Sequence, residues 1–502
     1  MTGRRRAIRR ILVANRGEIA LRVLRACREL GLEAVAAYSE ADRDSLAVRL
    51  ADGAVCVGPP PSRSSYLDIG KIVEAARLAG ADAIHPGYGF LSENAAFARA
   101  CEEAGIAFIG PGARAIELMG DKAMARRMAA EADVPITPGS PATLPDVAAA
   151  RTAAARIGYP VLLKAAAGGG GRGMRVVRDE ASLAGAFGDA AREAQAAFGD
   201  GTLYVERLIE RPRHIEIQVL ADDHGHVLHL FERECSIQRR HQKVIEETPS
   251  VAVTPALRAR MGEAAVAVAR AAGYRNAGTI EFLVDSSADS FYFLEMNTRL
   301  QVEHPVTEQV VGVDLVRAQI RIAAGEPLSW TQDALTQRGH AIEARVYAED
   351  PARDDLPQAG SLLLYREPVM PGIRIDSGVA EGSEVTVHYD PLLAKLVATG
   401  ETREAARVRA LDALRRFPIL GIRTNVAFLI GILDAPWFAS GEFDTRLLDR
   451  EGEALRAALR QEPPPEVEAI ASQVLPASAR VSAGAPDRAT RDPWMSLRGF
   501  RV

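Results

Sequence analysis

Glu281 and Glu295 sit in two strand-like runs, Thr279 to Asp285 (TIEFLVD) and Phe291 to Asn297 (FYFLEMN), separated by Ser286 to Ser290. Aromatic and β-branched runs around so short a polar loop predict a β-hairpin. Centring the loop on Ala288 pairs Asp285 with Phe291, Phe282 with Leu294, and Glu281 with Glu295. Two carboxylates facing across a ladder repel each other. A divalent cation reverses that penalty, and Mg²⁺ takes a few carboxylates together with phosphate oxygens. If the chain stays extended, Glu295, Asn297, Arg299, Gln301 and Glu303 share one face, and Met296, Leu300 and Val302 share the other. A solvated edge strand of mixed charge fits this stripe equally well. The facing carboxylates favour a site.

Two further constellations suit an anionic substrate. The run Gly168-Gly169-Gly170-Gly171-Arg172-Gly173 follows the strand-like Val161 to Lys164. Glycines let backbone N–H groups approach phosphate and let a flap move, although no GK[ST] follows to make a Walker loop. A flexible hairpin tip is the plainer reading of a glycine run alone, and Lys164 just ahead of it makes a phosphate-covering flap credible. Residues 235–243 (CSIQRRHQK) crowd Arg239, Arg240, His241 and Lys243 together. A solvated face and a set of donors for nucleotide oxygens and an anionic co-substrate both fit them. Cys235 reads as structural, since nothing lowers its pKa. His224, His226 and His229 read as a hairpin turn (ADDHGH). Of 61 basic residues, five are lysines: Lys71, Lys122, Lys164, Lys243 and Lys395. An ammonium is a compact point charge and a guanidinium a broad fork, so each remaining lysine merits inspection. Lys71, on a helical stretch, has no evident role.

The elements that must position these groups alternate in kind. Ile11–Ala14, Ala34–Tyr38 and Ala83–His85 are strand-like; Gly17–Leu30, Asp68–Ala79 and Phe97–Ala104 have helical periodicity. Such alternation predicts parallel βαβ units, here without a GxGxxG fingerprint. Residues 135–150 are Pro-rich and suit a hinge. From about 160 to 305 strands dominate, with one helix at Pro255 to Ala272, and a mixed α/β region follows Gly339. Pro463-Pro464-Pro465 opens a linker-like tail ending in an apolar cluster at Trp494, Leu497, Gly499 and Phe500.

The 502 residues exceed what one core organises. A net charge of -5 argues against nucleic-acid binding. No apolar run is long enough for a membrane span. The basic N-terminus lacks the apolar stretch of a signal peptide. Cys27, Cys56, Cys101 and Cys235 are too dispersed for a disulfide framework or zinc knuckle. A cytoplasmic protein is expected.

The motifs ILVANRGEIA (11–20), HPGYGFLSEN (85–94), MGDK (119–122), GGGGRGMR (168–175), PRHIEIQVLAD (212–222), QRRHQKVIEE (238–247), EMNTRLQVEHPVTE (295–308) and GHAIEAR (339–345) occur in the order found in biotin carboxylases. The chain resembles that family over residues 8 to about 446. The resemblance implies an α/β ATP-grasp fold: an N-terminal open parallel domain (1–120), an ATP-grasp domain (121–338) with a mobile glycine-rich lid at about 135–207, and a mixed C-terminal domain (339–448). Residues 449–502 would be a linker toward a downstream domain, which the terminal DPWMSLRGFRV also resembles.

The implied activity is carboxylation of carrier-linked biotin by ATP and bicarbonate, through carboxyphosphate. Lys122, Lys164, Gln238 and His241 would hold ATP, with Gly170 and Gly171 in the lid. Glu206, Arg207, Leu208 and Ile209 would clasp adenine, and His214 would line the pocket. Glu281, Glu295 and Asn297 would bind Mg²⁺ or Mn²⁺. Lys243, Arg299, Gln301 and the backbone of Val302 would hold bicarbonate. Glu303 would be the base that deprotonates it, and Arg345 would stabilise the biotin enolate. A carrier domain, a carboxyltransferase and a homodimeric state are implied too. Arg207 stands where many relatives have Lys, which a backbone contact to adenine tolerates. Val346-Tyr347 departs at a family-variable spot, and no AMKM-like biotinylation motif is present. Another ATP-grasp carboxylate–amine ligase would share the lid and acidic hairpin, but has no use for RLQVEH followed by Arg345. A non-catalytic nucleotide-binding subunit would not need Glu303 and Lys243.

Overall fold

A computed structural model describes residues 7–140, 143–166, 174–285 and 289–459. The glycine run with Gly170 and Gly171, most of the loop 286–290 and the tail from 460 lie outside these. The first unit is a parallel sheet in the order Gly53–Gly58, Glu33–Ser39, Arg10–Val13, Ala83–His85, Ala107–Phe108. The central strand is apolar on both sides because helices cover both faces. Ile11, Val13 and Val23 pack in one core and Leu12, Ile84 and Phe97 in another.

A second, eight-stranded sheet carries the chemistry. Its order is Ser290–Asn297, Asn276–Asp285, Arg213–Ala221, Val227–Arg239, Gln242–Thr248, His340–Tyr347, Leu392–Gly400, Ile373–Ser377, every pairing antiparallel. One continuous ladder therefore joins the acidic hairpin to the strand bearing Arg345. The turn at 222–226 is closed by Asp222, which accepts from the backbone of His224 and His226, as the ADDHGH pattern predicts.

A small sheet, Met174–Val177, Val161–Ala165, Leu203–Arg207, is backed by helices Val147–Ile157 and Glu180–Phe198. Asp146 and Asp179 cap them, each accepting from the backbone N–H three residues on. The helix of 19 residues at Glu180–Phe198 is absent from the sequence expectation of one helix between 160 and 305. Its alanines and glycines dilute the apolar periodicity, although its Asp cap is visible in the sequence. Among the described residues no helix is long and apolar enough to cross a membrane.

The acidic hairpin forms, with a corrected register. Glu281 faces Glu295 and Thr279 faces Asn297, as the count predicts. Beyond them the ladder slips: Phe282 faces Phe293 rather than Leu294, and Asp285 faces Ser290 rather than Phe291. A bulge at Leu294 absorbs the extra residue, and bulges leave no mark in an alternating pattern. The strand also stops at Asn297. Residues 298–303 turn into helix His304–Val311, with Glu303 at its N-cap.

Candidate active site

Neighbouring strands place their acids in a row. Glu281 pairs with Glu295 on one side and Glu216 on the other. From the hairpin of Val227–Arg239 and Gln242–Thr248, Lys243 reaches over this row. Its Nζ lies 2.6 Å from Glu216, 3.0 Å from Glu281 and 2.6 Å from Glu303. Glu303 is fully buried; its second oxygen accepts from Arg345 Nη2 at 3.0 Å. Arg345 is held from another side by Glu246, which accepts from Nε at 2.6 Å.

The stripe 295–303 stays together although it is not a strand. Arg299 donates to Glu93 at 2.8 Å, Gln301 at 2.7 Å and Asn297 at 3.3 Å. Gln301 donates to Glu281 at 3.4 Å, and the Val302 carbonyl accepts from Lys395 Nζ at 2.8 Å. A cavity of about 370 Å³ opens beside it, walled by Arg299, Val302, Arg345, Gln242, Tyr88 and Tyr389 among others.

The charges are mutually set. Burial works against an ionised Glu303, yet Lys243, Arg345 and Arg233 hold its carboxyl well below the usual range. Glu281 likewise overcomes burial through Lys243 and His214, whose Nε2 is 3.0 Å away. Glu295, with weaker cation support, is pushed up by burial and then by Glu281. For Lys243, burial is outweighed by the carboxylates of Glu216, Glu281 and Glu303 around Nζ, which hold the ammonium well above its ordinary value. Burial pushes the Cys235 thiol up as well, consistent with an inert sulfur.

The remaining described sequence candidates are spread around this cluster. Lys164 donates to Glu206 at 2.8 Å within the small sheet, and Arg126 pairs with the same carboxylate. Arg207 is exposed and its N–H donates to Pro138 O at 2.8 Å; the Leu208 N–H donates to Pro160 O at 3.1 Å, and Leu208 and Ile209 are buried. Gln238 is buried opposite Lys243. Lys122 Nζ lies 3.6 Å from Glu295. His241 is not drawn into the cluster: it is exposed on the hairpin turn.

The comparisons agree with the motifs. The sequence family described as "Biotin carboxylase, N-terminal domain" matches residues 7–116, and "Biotin carboxylase C-terminal domain" matches 343–450. "Carbamoyl-phosphate synthase L chain, ATP binding domain" matches 121–331. Biotin carboxylase 1 of Bacillus subtilis is 50% identical over 88% of this chain and 98% of its own length. The chain belongs to the biotin carboxylase family. Its fold is ATP-grasp, with a parallel N-terminal sheet. The biotin carboxylase domain dimer of the Hydrogenobacter thermophilus 2-oxoglutarate carboxylase, solved with MgADP, ADP and bicarbonate, superposes with a TM-score of 0.83 at 48% identity, covering 90% of this chain and 99% of that one. The mitochondrial methylcrotonoyl-CoA carboxylase subunit alpha of Glycine max is 52% identical over 90% of this chain. This chain spans about three fifths of that subunit's length, 62%.

Glu216, Glu246 and Glu93 join this cluster without having been singled out in the sequence, and Lys395 joins it without a role having been expected of it. Glu216 and Glu246 look like ordinary alternation within strands. Lys395 had a signal, because it is one of five lysines and interrupts the apolar run LLAKLVA. It is fully buried, and besides Val302 it pairs with Glu18 at 3.1 Å.

Proposed function

We propose that this chain is a ligase that carboxylates biotin on a carrier protein, using ATP and bicarbonate by way of carboxyphosphate, as the first half-reaction of an acyl-CoA carboxylase. The observation that carries this reading is Glu303, a fully buried carboxylate clasped between Lys243 and Arg345 and kept ionised by both. Such a group can accept the bicarbonate proton while the cations beside it hold an anion. Bicarbonate is a weak nucleophile, and its attack on the γ-phosphate brings anions together. Lys243 and Arg299 oppose that repulsion, with Gln301 and the Val302 backbone fixing the orientation.

Glu281, Glu295 and Asn297 would hold Mg²⁺ or Mn²⁺. The fit rests on the facing carboxylates, with burial and Glu281 both working against an ionised Glu295 when no cation lies between them. The metal would neutralise phosphate charge in the transition state. Lys122, Lys164, His214, Gln238, His241 and the 206–209 segment would hold the nucleotide. Lys164 would exchange Glu206 for phosphate.

Carboxyphosphate would break down to CO₂ and phosphate, the phosphate would take the ureido proton, and biotin would attack CO₂. Arg345, at the wall of the 370 Å³ cavity, would stabilise the enolate. In the same reading the protein works in the cytoplasm as a homodimer, beside a biotin carboxyl carrier and a carboxyltransferase; which acyl-CoA is served would be decided by that carboxyltransferase. The test is ADP release from ATP. It should require bicarbonate and rise with free biotin, and release indifferent to both would overturn the reading.

A further inference from the structure

The turn that carries Gln242 and Lys243 into the site is built from residues in an unfavourable backbone conformation. Arg240 and His241 have φ of +48° and +66°. Side chains with a Cβ enter this left-handed region only at a steric cost. Facing them are Asp354 and Asp355, left-handed as well at +55° and +62°. Neither turn contains a glycine. Such conformations persist where the surroundings over-determine them.

The surroundings are two crossed ion pairs and a helix. The outer pair joins Arg240 Nη2 to both oxygens of Asp354, at 2.7 and 2.8 Å, and is exposed. The inner pair joins Arg239 Nη1 to Asp355 Oδ1 at 2.7 Å and is buried. Arg239 also donates to Glu349 at 3.0 Å and to Gln242 Oε1 at 3.2 Å. Asp355 Oδ2 accepts from Arg456 Nη2 at 2.8 Å. Arg456 belongs to helix Leu447–Leu459 and lies over the Phe428 ring at 5.4 Å. The helix thus braces Asp355, Asp355 braces Arg239, and Arg239 braces the turn from which Lys243 reaches Glu303.

We propose that Arg239, Asp355 and Arg456 form a clamp through which helix Leu447–Leu459 sets the turn, and with it the placement of Gln242 and Lys243 against Glu303 and Arg345. All three are positioning residues. The kinetic consequence rests on the reading of Lys243 as a bicarbonate ligand; the conformational one does not.

The test uses the whole 502-residue chain and the variants Asp355→Asn and Arg456→Met. A misplaced Lys243 should raise the KM for bicarbonate about ten-fold in D355N while kcat falls less than about three-fold, with R456M moving the same way by less. Glycine takes up the left-handed conformation without steric cost, so Arg240→Gly added to D355N should return KM to within about two-fold of wild type, whereas Arg240→Ala should not. Should D355N fail to fold, R456M carries the same pair of rescues. A variant that loses thermal stability with KM unchanged overturns the clamp, as do equal effects of Gly and Ala. Wild-type ADP release independent of bicarbonate would sink the functional reading alone. The clamp is then read from hydrogen exchange at the 240–242 amides, which must quicken in D355N and slow again in the glycine double variant. Unchanged exchange overturns it.

Discussion

Glu246 and Glu343 stand directly opposite each other across the ladder between Gln242–Thr248 and His340–Tyr347, both fully buried. Among the described residues neither oxygen of Glu343 has a hydrogen-bond partner, and Glu246 spends only one of its two on Arg345. Burial pushes Glu246 up to about 7 against the pull of Arg345, and Glu303 adds to the rise. Glu343 is pushed well above its ordinary value by burial, with Glu246 and Glu303 reinforcing it against Lys395 and Arg345. Burial and the facing carboxylates thus both favour a protonated acid in this pair, beside the guanidinium of Arg345. Glu18, Glu246, Glu303, Glu343 and Asp376 lie around Arg345 and Lys395, and a neutral acid among them would bring the charges closer to balance.

That proton has a measurable cost. A carboxyl whose folded pKa lies above its unfolded value binds more protons when folded. Its stabilisation is complete below the unfolded value near 4.5 and is lost as pH rises through the folded one. Glu343→Gln is neutral at every pH and should gain on the wild type between about pH 5.5 and pH 8.5, by about 1 kcal/mol or more. Urea unfolding at the two pH values measures this. Parallel pH slopes for the two proteins would show that Glu343 is ionised throughout.

Glu303→Gln keeps shape and removes the proposed base; Arg345→Ala removes a preorganised cation. Each should lower bicarbonate-dependent ADP release by about 10²-fold or more. ATP-analogue affinity should stay near the wild-type value, measured by calorimetry, because neither residue is assigned to the nucleotide. Near-normal turnover in either variant would remove it from the mechanism.

How much of this was legible beforehand depended on which residues carried the information. The Glu281–Glu295 pairing is correct because two departures cancel: the ladder closes on Asp285 and Ser290, one residue short of the count, and the bulge at Leu294 restores the counted register from Glu281 onward. The strand alternation that put 295–303 on one face was the wrong geometry. The residues still converge because Arg299 is long enough to tie Asn297 to Gln301 across the turn. Glu216, Glu246 and Glu343 were invisible as a group. They come from three strands far apart in sequence, two of them adjacent and the third one strand further along, which only the order of the eight-stranded sheet reveals. Register between distant strands is set by the whole sheet's packing and is not written in any one segment. The Arg239–Asp355–Arg456 chain is unreadable for the same reason, spanning positions more than 100 apart.

Removing divalent cations should abolish ADP release and also change stability. A ligand that binds only the folded state raises its stability by mass action. Adding Mg²⁺ should raise the wild-type melting temperature, since it relieves the facing Glu281 and Glu295. Glu295→Gln relieves the repulsion without metal, so this variant should be at least as stable in EDTA and should lose most of the Mg²⁺ response. A melting temperature insensitive to Mg²⁺ in the wild type would argue against a metal at this pair.

Arg233 has the bulkiest side chain among those fully buried, and it holds the floor of the site. Nε donates to Glu216, Nη1 to Gln218 at 2.8 Å and Thr307 at 3.0 Å, and Nη2 to Thr279 at 3.1 Å. One guanidinium thus ties three strands to helix His304–Val311, whose N-cap is Glu303. Arg233→Met keeps most of the packing volume but leaves Glu216 buried with Lys243 as its remaining cation. Breaking one side of a buried ion pair typically costs about 3–5 kcal/mol, most of it the stranded charge. Urea unfolding should show a loss of that order. Adding Glu216→Gln to Arg233→Met removes the stranded charge, so the double variant should be more stable than Arg233→Met alone, and the cycle isolates the pair. A loss below about 1 kcal/mol in the single variant would mean that Glu216 takes up a proton instead. In that case the missing stabilisation would return as the pH is lowered.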